Sequence, residues 1–242
     1  SGVSFDEAQE TYTARYTHDT IALAFAITEE AIEDNLYDRL ASRYTKALAR
    51  SMSNAKQVKA VTPLNNGLSS VATFKAGDTV SLFSTNHTTV SGTAVKNTLT
   101  TQADLNETSL EQALIDIAGM TDERGLRVAA RGMKMIIPSA NQFNAERLTK
   151  SQGRTGTADN DINASVSMGM IPQGYRVNNY LTDTDSWYII TDVPNGMKMF
   201  QRAALKTAME GDFDTGNVRY KARERYSFGV SDYRGIFGVE GA

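Results

Sequence analysis

The stretch 28–62 constrains the fold most, because it contains neither glycine nor proline and carries a single apolar stripe. Apolar side chains recur there at intervals of three or four residues, which is the spacing of one face of an α-helix. Pro63 lacks the N–H group that a helix interior needs. The sequence therefore predicts one long helix over 28–62 that ends at Pro63. The stripe consists of Ile32, Leu36, Leu40, Tyr44, Leu48, Met52, Ala55 and Val58.

Charge is sorted along this predicted helix, with acids in its first part and bases in the rest. This order is favourable for the helix macrodipole. One interpretation is that the charged side chains form a solvated helix surface. The other is that the basic residues of the helix bind acids of a neighbouring subunit. The acids are Glu29, Glu30, Glu33, Asp34 and Asp38, and the bases are Arg39, Arg43, Lys46, Arg50, Lys56 and Lys59.

The rest of the chain predicts an α+β protein with several strands. Ile21, Leu23, Phe25 and Ile27 alternate with alanines, which is typical of a strand. Capping boxes at Thr108-x-x-Glu111 and Ser139-x-x-Gln142 predict the starts of two further helices. Strands are also predicted at 80–83, 133–137, 175–181, 187–191, 197–202 and 218–230.

The last of these strands has one basic face. Its other face is apolar except for Glu224. Like charges in a row repel each other, so the row calls for a negative partner. DNA phosphates are one candidate, and acids of an adjoining subunit are another, with Asp6, Glu7 and Glu10 as the nearest by composition. A solvated row with no partner is the third interpretation. The basic residues are Arg219, Lys221, Arg223 and Arg225.

Composition argues against a catalytic site. The chain has two histidines, His18 and His87, and no cysteine, so thiol chemistry and thiolate metal sites are excluded. His87 could act as a base with Asp78 or Asp104, but a surface or loop-bracing histidine explains it better. We expect no catalytic, cofactor-binding or metal-binding residues. The net charge of −3 implies no nonspecific grip on nucleic acid, and the apolar runs are too short for a membrane span.

Several motifs are similar to tailed-bacteriophage major capsid proteins, above all to the Mu-type major head subunits. They occur in the same order along nearly the whole chain, which makes the match specific. In the C-terminal half they are DSWYIITD at 185–192, GMKMFQR at 196–202, RYSFGV at 225–230 and YRGIFG at 233–238. Upstream they are EDNLY at 33–37, LFSTNH at 82–87, LNETSL at 105–110 and IIP at 136–138.

The resemblance implies the Hong Kong 97-type capsid fold, with an E-loop, a peripheral domain built on a long spine helix, and an axial domain. The family's N-terminal arm and first E-loop strand would precede residue 1. The implied division is E-loop (part) 1–27, peripheral domain 28–120 with spine helix 28–62, axial domain 121–204, peripheral strands 205–230, and a C-terminal strand 231–242 that returns to the axial domain.

The implied function is that of a major capsid protein. Pentamers and hexamers of the chain would form an icosahedral shell around the double-stranded DNA of a tailed phage. Its partners would be neighbouring capsomers, with portal, scaffold and decoration proteins as further candidates. Its location would be the virion, and the host cytoplasm during assembly. The alternatives are an encapsulin-like nanocompartment shell and, more remotely, a soluble hydrolase with an unrecognised site.

Overall fold

The computed structural model describes residues 12–34, 37–69, 75–154 and 161–242. They contain both helices and strands, and most of the strand pairs are antiparallel, which confirms the α+β class. The α-helices are α1 (Glu29–Glu33), α2 (Tyr37–Asn65), α3 (Glu107–Ala118), α4 (Gln142–Lys150) and α5 (Ala164–Ser167). The strands are β1 (Asp19–Ile27), β2 (His87–Thr88), β3 (Ala94–Val95), β4 (Gly132–Ile137), β5 (Tyr175–Val177), β6 (Trp187–Thr191), β7 (Met197–Gly211), β8 (Val218–Val230) and β9 (Ile236–Val239). Short 3-10 helices span Ser139–Asn141 and Tyr233–Gly235.

The described residues divide into two compact units, each with its own hydrophobic core. The first unit holds residues 12–15, 64–197 and 230–242. The second unit holds residues 16–63 and 198–229. Two segments of the chain thus build the second unit, one before the first unit's main segment and one after it.

A four-stranded sheet in the order β5-β4-β6-β9 forms the centre of the first unit. β4 runs parallel to β5 and antiparallel to β6, and β6 runs antiparallel to β9. Trp187 and Ile189 of β6 are fully buried in one cluster with Met135 of β4, Phe237 of β9 and Leu110 of α3. Burial of each such side chain contributes about 1.5–3 kcal/mol, so this cluster is the main source of the unit's stability.

His87 braces the irregular region between α2 and α3. Its ring is fully buried and stacks on Tyr233, with ring centroids 3.9 Å apart. Nδ1 lies 2.6 Å from Asp78 Oδ2, and Nε2 lies 3.1 Å from Asn97 Oδ1 and 3.2 Å from the Leu82 carbonyl oxygen. The loop-bracing role expected of His87 is confirmed, whereas a surface position is wrong.

The second unit consists of a three-stranded sheet, in the order β1-β8-β7, together with α1 and most of α2. β1 pairs with β8 in antiparallel register. Leu48 and Met52 of α2 are buried with Ala222 of β8, and Ile21 and Phe25 of β1 pack against them. The predicted apolar stripe of α2 is therefore right at its centre. Tyr44 continues the stripe, because its ring centroid lies 5.5 Å from that of Phe25, although the residue is 46% exposed. Val58 is 47% exposed, so the stripe is wrong there. The side chains of Leu36 and Leu40 lie outside the described part of the chain.

Two helices, not one, occupy the stretch predicted as a single helix over 28–62. α1 ends at Glu33, and α2 begins at Tyr37 and continues through Pro63 to Asn65. The amide of Asn65 donates to the carbonyl of Tyr180 at 3.1 Å, and its Oδ1 accepts from the N–H of Thr182 at 3.2 Å. These tertiary hydrogen bonds hold the last turn although proline removes a backbone bond there.

Both predicted capping boxes are wrong. α3 is capped by Asn106, whose Oδ1 accepts from the N–H of Ser109 at 2.9 Å. Ser109 Oγ accepts in return from the N–H of Asn106 at 3.0 Å. Ser139 opens a 3-10 helix before α4, and no side chain caps the start of either element. The short side chains of Asn106 and Ser109 thus take the roles expected of Thr108 and Glu111.

Most predicted strands are present, and some of them differ from the prediction in length. β6 and β8 match the predicted 187–191 and 218–230, and β1 and β4 match within two residues. β7 continues beyond the predicted end at 202 to Gly211, whereas β5 stops at Val177. No strand forms at 80–83, where Ser81 makes only an isolated bridge with Lys75.

Candidate inter-subunit surface

The basic residues predicted on the last long strand share one exposed face of β8. We call these four residues the basic row. The residues that alternate with them face α2, and Ala222, Glu224 and Tyr226 are buried there. The register inferred from the sequence is therefore confirmed. The basic row consists of Arg219, Lys221, Arg223 and Arg225, all of them exposed.

Small side chains border the basic row along β1. Ala22, Ala24 and Ala26 lie directly opposite Arg223, Lys221 and Arg219 in the β1–β8 register. All three alanines are exposed. Because an alanine side chain is a single methyl group, nothing on β1 covers the charged groups opposite these alanines from that side.

Only one member of the basic row has an ion-pair partner among the described residues. Arg219 pairs with Asp212 in the turn between β7 and β8. The pKa of Asp212 is lowered, first by a hydrogen bond from the Thr215 hydroxyl and then by the charge of Arg219. No described carboxylate lies within 4 Å of Lys221, Arg223 or Arg225, so these three charges have no counter-charge among the described residues.

An ion pair with Lys56 of α2 explains why the acidic residue Glu224 lies on the otherwise apolar face of β8. Its side chain is 5% exposed and lies 3.2 Å from the ammonium group of Lys56. Lys56 also lies over the ring of Tyr226, 5.2 Å from its centroid, and Lys59 pairs with Asp19 of β1. Two bases of the predicted helix thus bind acids of their own sheet. The sequence carried one signal of this, an acid in an otherwise apolar alternation, but it did not name the partner.

The other predicted contact residues lie on α2 or outside the described part. Arg43, Lys46 and Arg50 are exposed, and they make no ion pair with any residue that the structure describes. Asp6, Glu7 and Glu10 lie outside the described residues. The structure therefore brings the four members of the basic row together, and three of them have no ion-pair partner among the described residues.

One end of the sheet face that carries the basic row is covered by residues 16–18. A Cβ added to Gly229 would lie 2.7 Å from Tyr16 Cε1, so the Tyr16 ring lies against the strand at that glycine. Tyr16 also contacts Phe200 of β7 edge to face, with centroids 4.6 Å apart. His18 Nδ1 lies 3.1 Å from Ser227 Oγ. The exposed part of the face begins immediately beyond these contacts.

The described residues offer no arrangement that supports catalysis. No group of three or more histidine, aspartate or glutamate side chains is placed to hold a metal ion in the described ranges. His87, the base considered from the sequence, is 0% exposed and closed in by its own hydrogen bonds. No helix in this part of the chain is long and apolar enough to cross a membrane.

The sequence pattern of one protein family matches almost the whole chain. That family is described as phage capsid protein, and its match covers residues 11–239. The chain belongs to this family. It is a structural protein of the capsid shell, and its place is the virion. No curated protein sequence matches the chain.

Several solved structures share the fold of this capsid protein. The capsid of Myoviridae phage XM1 has a TM-score of 0.56 at 12% identity, over 94% of this chain and 74% of that chain. A chain of Mycobacterium phage Patience has a TM-score of 0.53 at 11% identity, over 100% of this chain and 77% of that chain. A virus-like particle from Pyrococcus furiosus has a TM-score of 0.52 at 11% identity, over 92% and 76%. The Hong Kong 97-type fold implied by the motifs is thus supported independently of them.

Proposed function

We propose that this capsid protein assembles into pentamers and hexamers that form the icosahedral head of a tailed phage around its double-stranded DNA. The observation that carries the proposal is the family match over residues 11–239. Assembly takes place in the host cytoplasm, and portal, scaffold and decoration proteins are candidate partners. The protein has no catalytic role.

The domain division implied by the motifs is part of this proposal. Residues 1–27 belong to the E-loop, 28–120 and 205–230 to the peripheral domain, and 121–204 to the axial domain, to which 231–242 return. The two compact units reflect contacts within one subunit, whereas the capsid domains are defined by position in the capsomer. A density map of the assembled shell tests the division directly.

The basic row is proposed to contact acids of an adjoining subunit. Three of its charges have no counter-charge among the described residues. A partly buried pair of arginine and carboxylate can form two parallel hydrogen bonds, which fixes geometry as well as energy. DNA is the weaker candidate, because the chain is net negative and the shell must let its genome leave. Arg43, Lys46 and Arg50 are further contacts, and Asp6, Glu7 and Glu10 are candidate acids.

Electron microscopy of the purified protein tests the assembly proposal. We expect closed shells in negative stain, and nuclease-protected double-stranded DNA in particles isolated from a producing host. Shells filled with protein and free of DNA would favour the encapsulin-like alternative. A stable monomer at micromolar concentration, under conditions that preserve virions, would contradict assembly altogether.

Charge reversal tests the basic row. Arg223→Glu should leave the subunit folded, because the side chain is exposed, and should block capsomer formation. Arg176→Glu, a reversal of an exposed arginine on β5, is the matched control and should assemble like the wild type. If Arg223→Glu forms normal shells that hold less DNA, the row contacts the genome.

A further inference from the structure

A cluster of exposed acids complements the basic row in number. All of them belong to α1 or to the residue that follows it, and we call them the acidic turn. None forms an ion pair with any residue in the described ranges. Among the described residues of the second unit, the acidic turn and the basic row form no ion pair with each other, and three cations of the row have no ion-pair partner. The acidic turn consists of Glu29, Glu30, Glu33 and Asp34, all of them exposed.

The acidic turn and the basic row occupy different parts of the second unit. The carboxylate of Glu29 lies against Gly216, in the turn between β7 and β8, where an added Cβ would lie 2.9 Å from Glu29 Oε1. The acidic turn therefore lies at the end of the sheet where β8 begins. The opposite end of the basic face is covered by Tyr16 at Gly229. Acids at one end and free cations along the open face make the two surfaces different from each other.

We infer that the acidic turn of one subunit docks on the basic row of the next subunit, an inference that rests on the proposed capsomer assembly. Two different surfaces that bind each other form a head-to-tail contact, and such contacts close into rings when the rotation allows it. A two-fold contact would instead bring two copies of one surface together. The separation of acids from bases therefore fits pentameric and hexameric rings.

The spacing between carboxylates of the acidic turn matches the spacing between cations of the basic row. Same-face residues on a strand are about 6–7 Å apart, which sets the distance between successive charges of the basic row. Glu30 and Asp34 are one helical turn apart, about 6 Å along the axis, and the N–H of Asp34 donates to the Glu30 carbonyl at 2.9 Å. Two carboxylates of the acidic turn can thus meet two successive cations. The alanines of β1 leave room for the helix to approach.

Paired charge reversals test this inference. We expect Arg223→Glu and Glu30→Arg each to lower the fraction of protein in capsomers at least about tenfold, because each leaves like charges opposed. The two reversals combined should restore most of the capsomers, because the pair is re-formed with its signs exchanged. Sedimentation velocity measures the capsomer fraction, and far-UV circular dichroism checks that each variant is folded.

Other pairings separate this inference from the proposed function. Glu111→Arg, on α3, is the control for general charge compensation and should not rescue Arg223→Glu. If Glu30→Arg assembles normally, or if it rescues no better than Glu111→Arg, the acidic turn is not the partner. Rescue by Glu7→Arg or Glu10→Arg would overturn the inference in favour of the N-terminal acids and leave the proposed assembly intact. Absence of assembly in the wild-type protein would instead overturn the proposed function itself.

Discussion

Single buried polar residues organise the region between α2 and α3, where the described strands are only two residues long. Asn97 is the clearest case. Its Oδ1 accepts from the N–H of Ser84 at 2.9 Å, and its amide donates to the carbonyls of Leu82 and Tyr233 at 2.8 and 3.1 Å. One fully buried side chain thus joins the loop to the segment before β9. Buried polar groups contribute strongly to stability, because a donor or acceptor that loses its hydrogen bond costs more free energy in the interior than in water.

Asn97→Ala should lower the free energy of unfolding of the first unit by about 3 kcal/mol, because several buried groups lose their partners together. Asn54→Ala, at an exposed position of α2, is the control and should change it by less than about 0.5 kcal/mol. Urea denaturation followed by the fluorescence of Trp187 measures both. Equal midpoints for the two variants would show that Asn97 does not hold the loop.

Tyr188 should make the first unit sensitive to high pH. Burial raises the pKa of its hydroxyl from 10.0 to about 12, and this hydroxyl donates to the Leu64 carbonyl at 3.2 Å. Between those two pH values the unfolded chain has lost the proton and the folded chain still holds it. The unfolded state therefore binds fewer protons, so stability is complete below pH 10 and falls as the pH rises towards 12.

Tyr188→Phe should remove about 2–3 kcal/mol of this pH-dependent loss, since a phenyl ring has no proton to release. Urea unfolding at several pH values from about 8 to about 12 measures the slope. The variant's own stability at neutral pH provides the baseline. Parallel curves for the variant and the wild type would assign the alkaline loss to other groups.

Elements with a strong local pattern could be predicted from the sequence, and elements held by tertiary contacts could not. β8 was predicted with its full length and register because cations alternate with apolar residues along it, and this also identified the basic row. The far half of β7 has no such alternation and is held by pairing with β8. The partner of Glu224 and the continuation of α2 past Pro63 likewise depend on residues distant in sequence.

The turn before β7 and the 3-10 helix before β9 approach each other through two glycines. A Cβ added to Gly196 would lie 2.9 Å from the Cα of Gly235, and a Cβ on Gly235 would overlap the Cα of Gly196. Gly235→Ala should therefore cost at least about 2 kcal/mol, because backbone rather than a flexible side chain has to move. Thermal unfolding measures the loss.

Gly211→Ala is the matched control for this prediction. No heavy atom of the described residues lies within 4 Å of a Cβ added to Gly211, and its φ is not in the left-handed region. Stability should be unchanged or slightly higher, because alanine reduces the freedom of the unfolded chain. A loss at Gly211 as large as at Gly235 would attribute the effect to glycine removal in general.

At the scale of the whole molecule, the distribution of charge matters more than its sum. The net charge is −3, which is small for 242 residues. Within the second unit, however, the carboxylates of the acidic turn lie close together in sequence, and the cations of the basic row share one face of β8. Local fields of opposite sign can orient subunits as they meet, although the molecule as a whole is nearly neutral.

Assembly should therefore weaken as salt is added. The Debye length is about 10 Å at about 0.1 M salt and about 3 Å at about 1 M, so contacts between exposed charges are screened across this range. We expect the capsomer fraction of the wild type to fall as NaCl is raised from about 0.1 M to about 1 M, while the circular dichroism spectrum stays constant. The exchanged pair of Arg223→Glu with Glu30→Arg should show the same fall, because its contact is also between opposite charges.

Arg223→Glu alone should gain capsomers with added salt, since screening relieves its repulsion. Capsomers of the wild type that are insensitive to NaCl, or that increase with it, would mean that apolar contacts rather than these charges hold the subunits together.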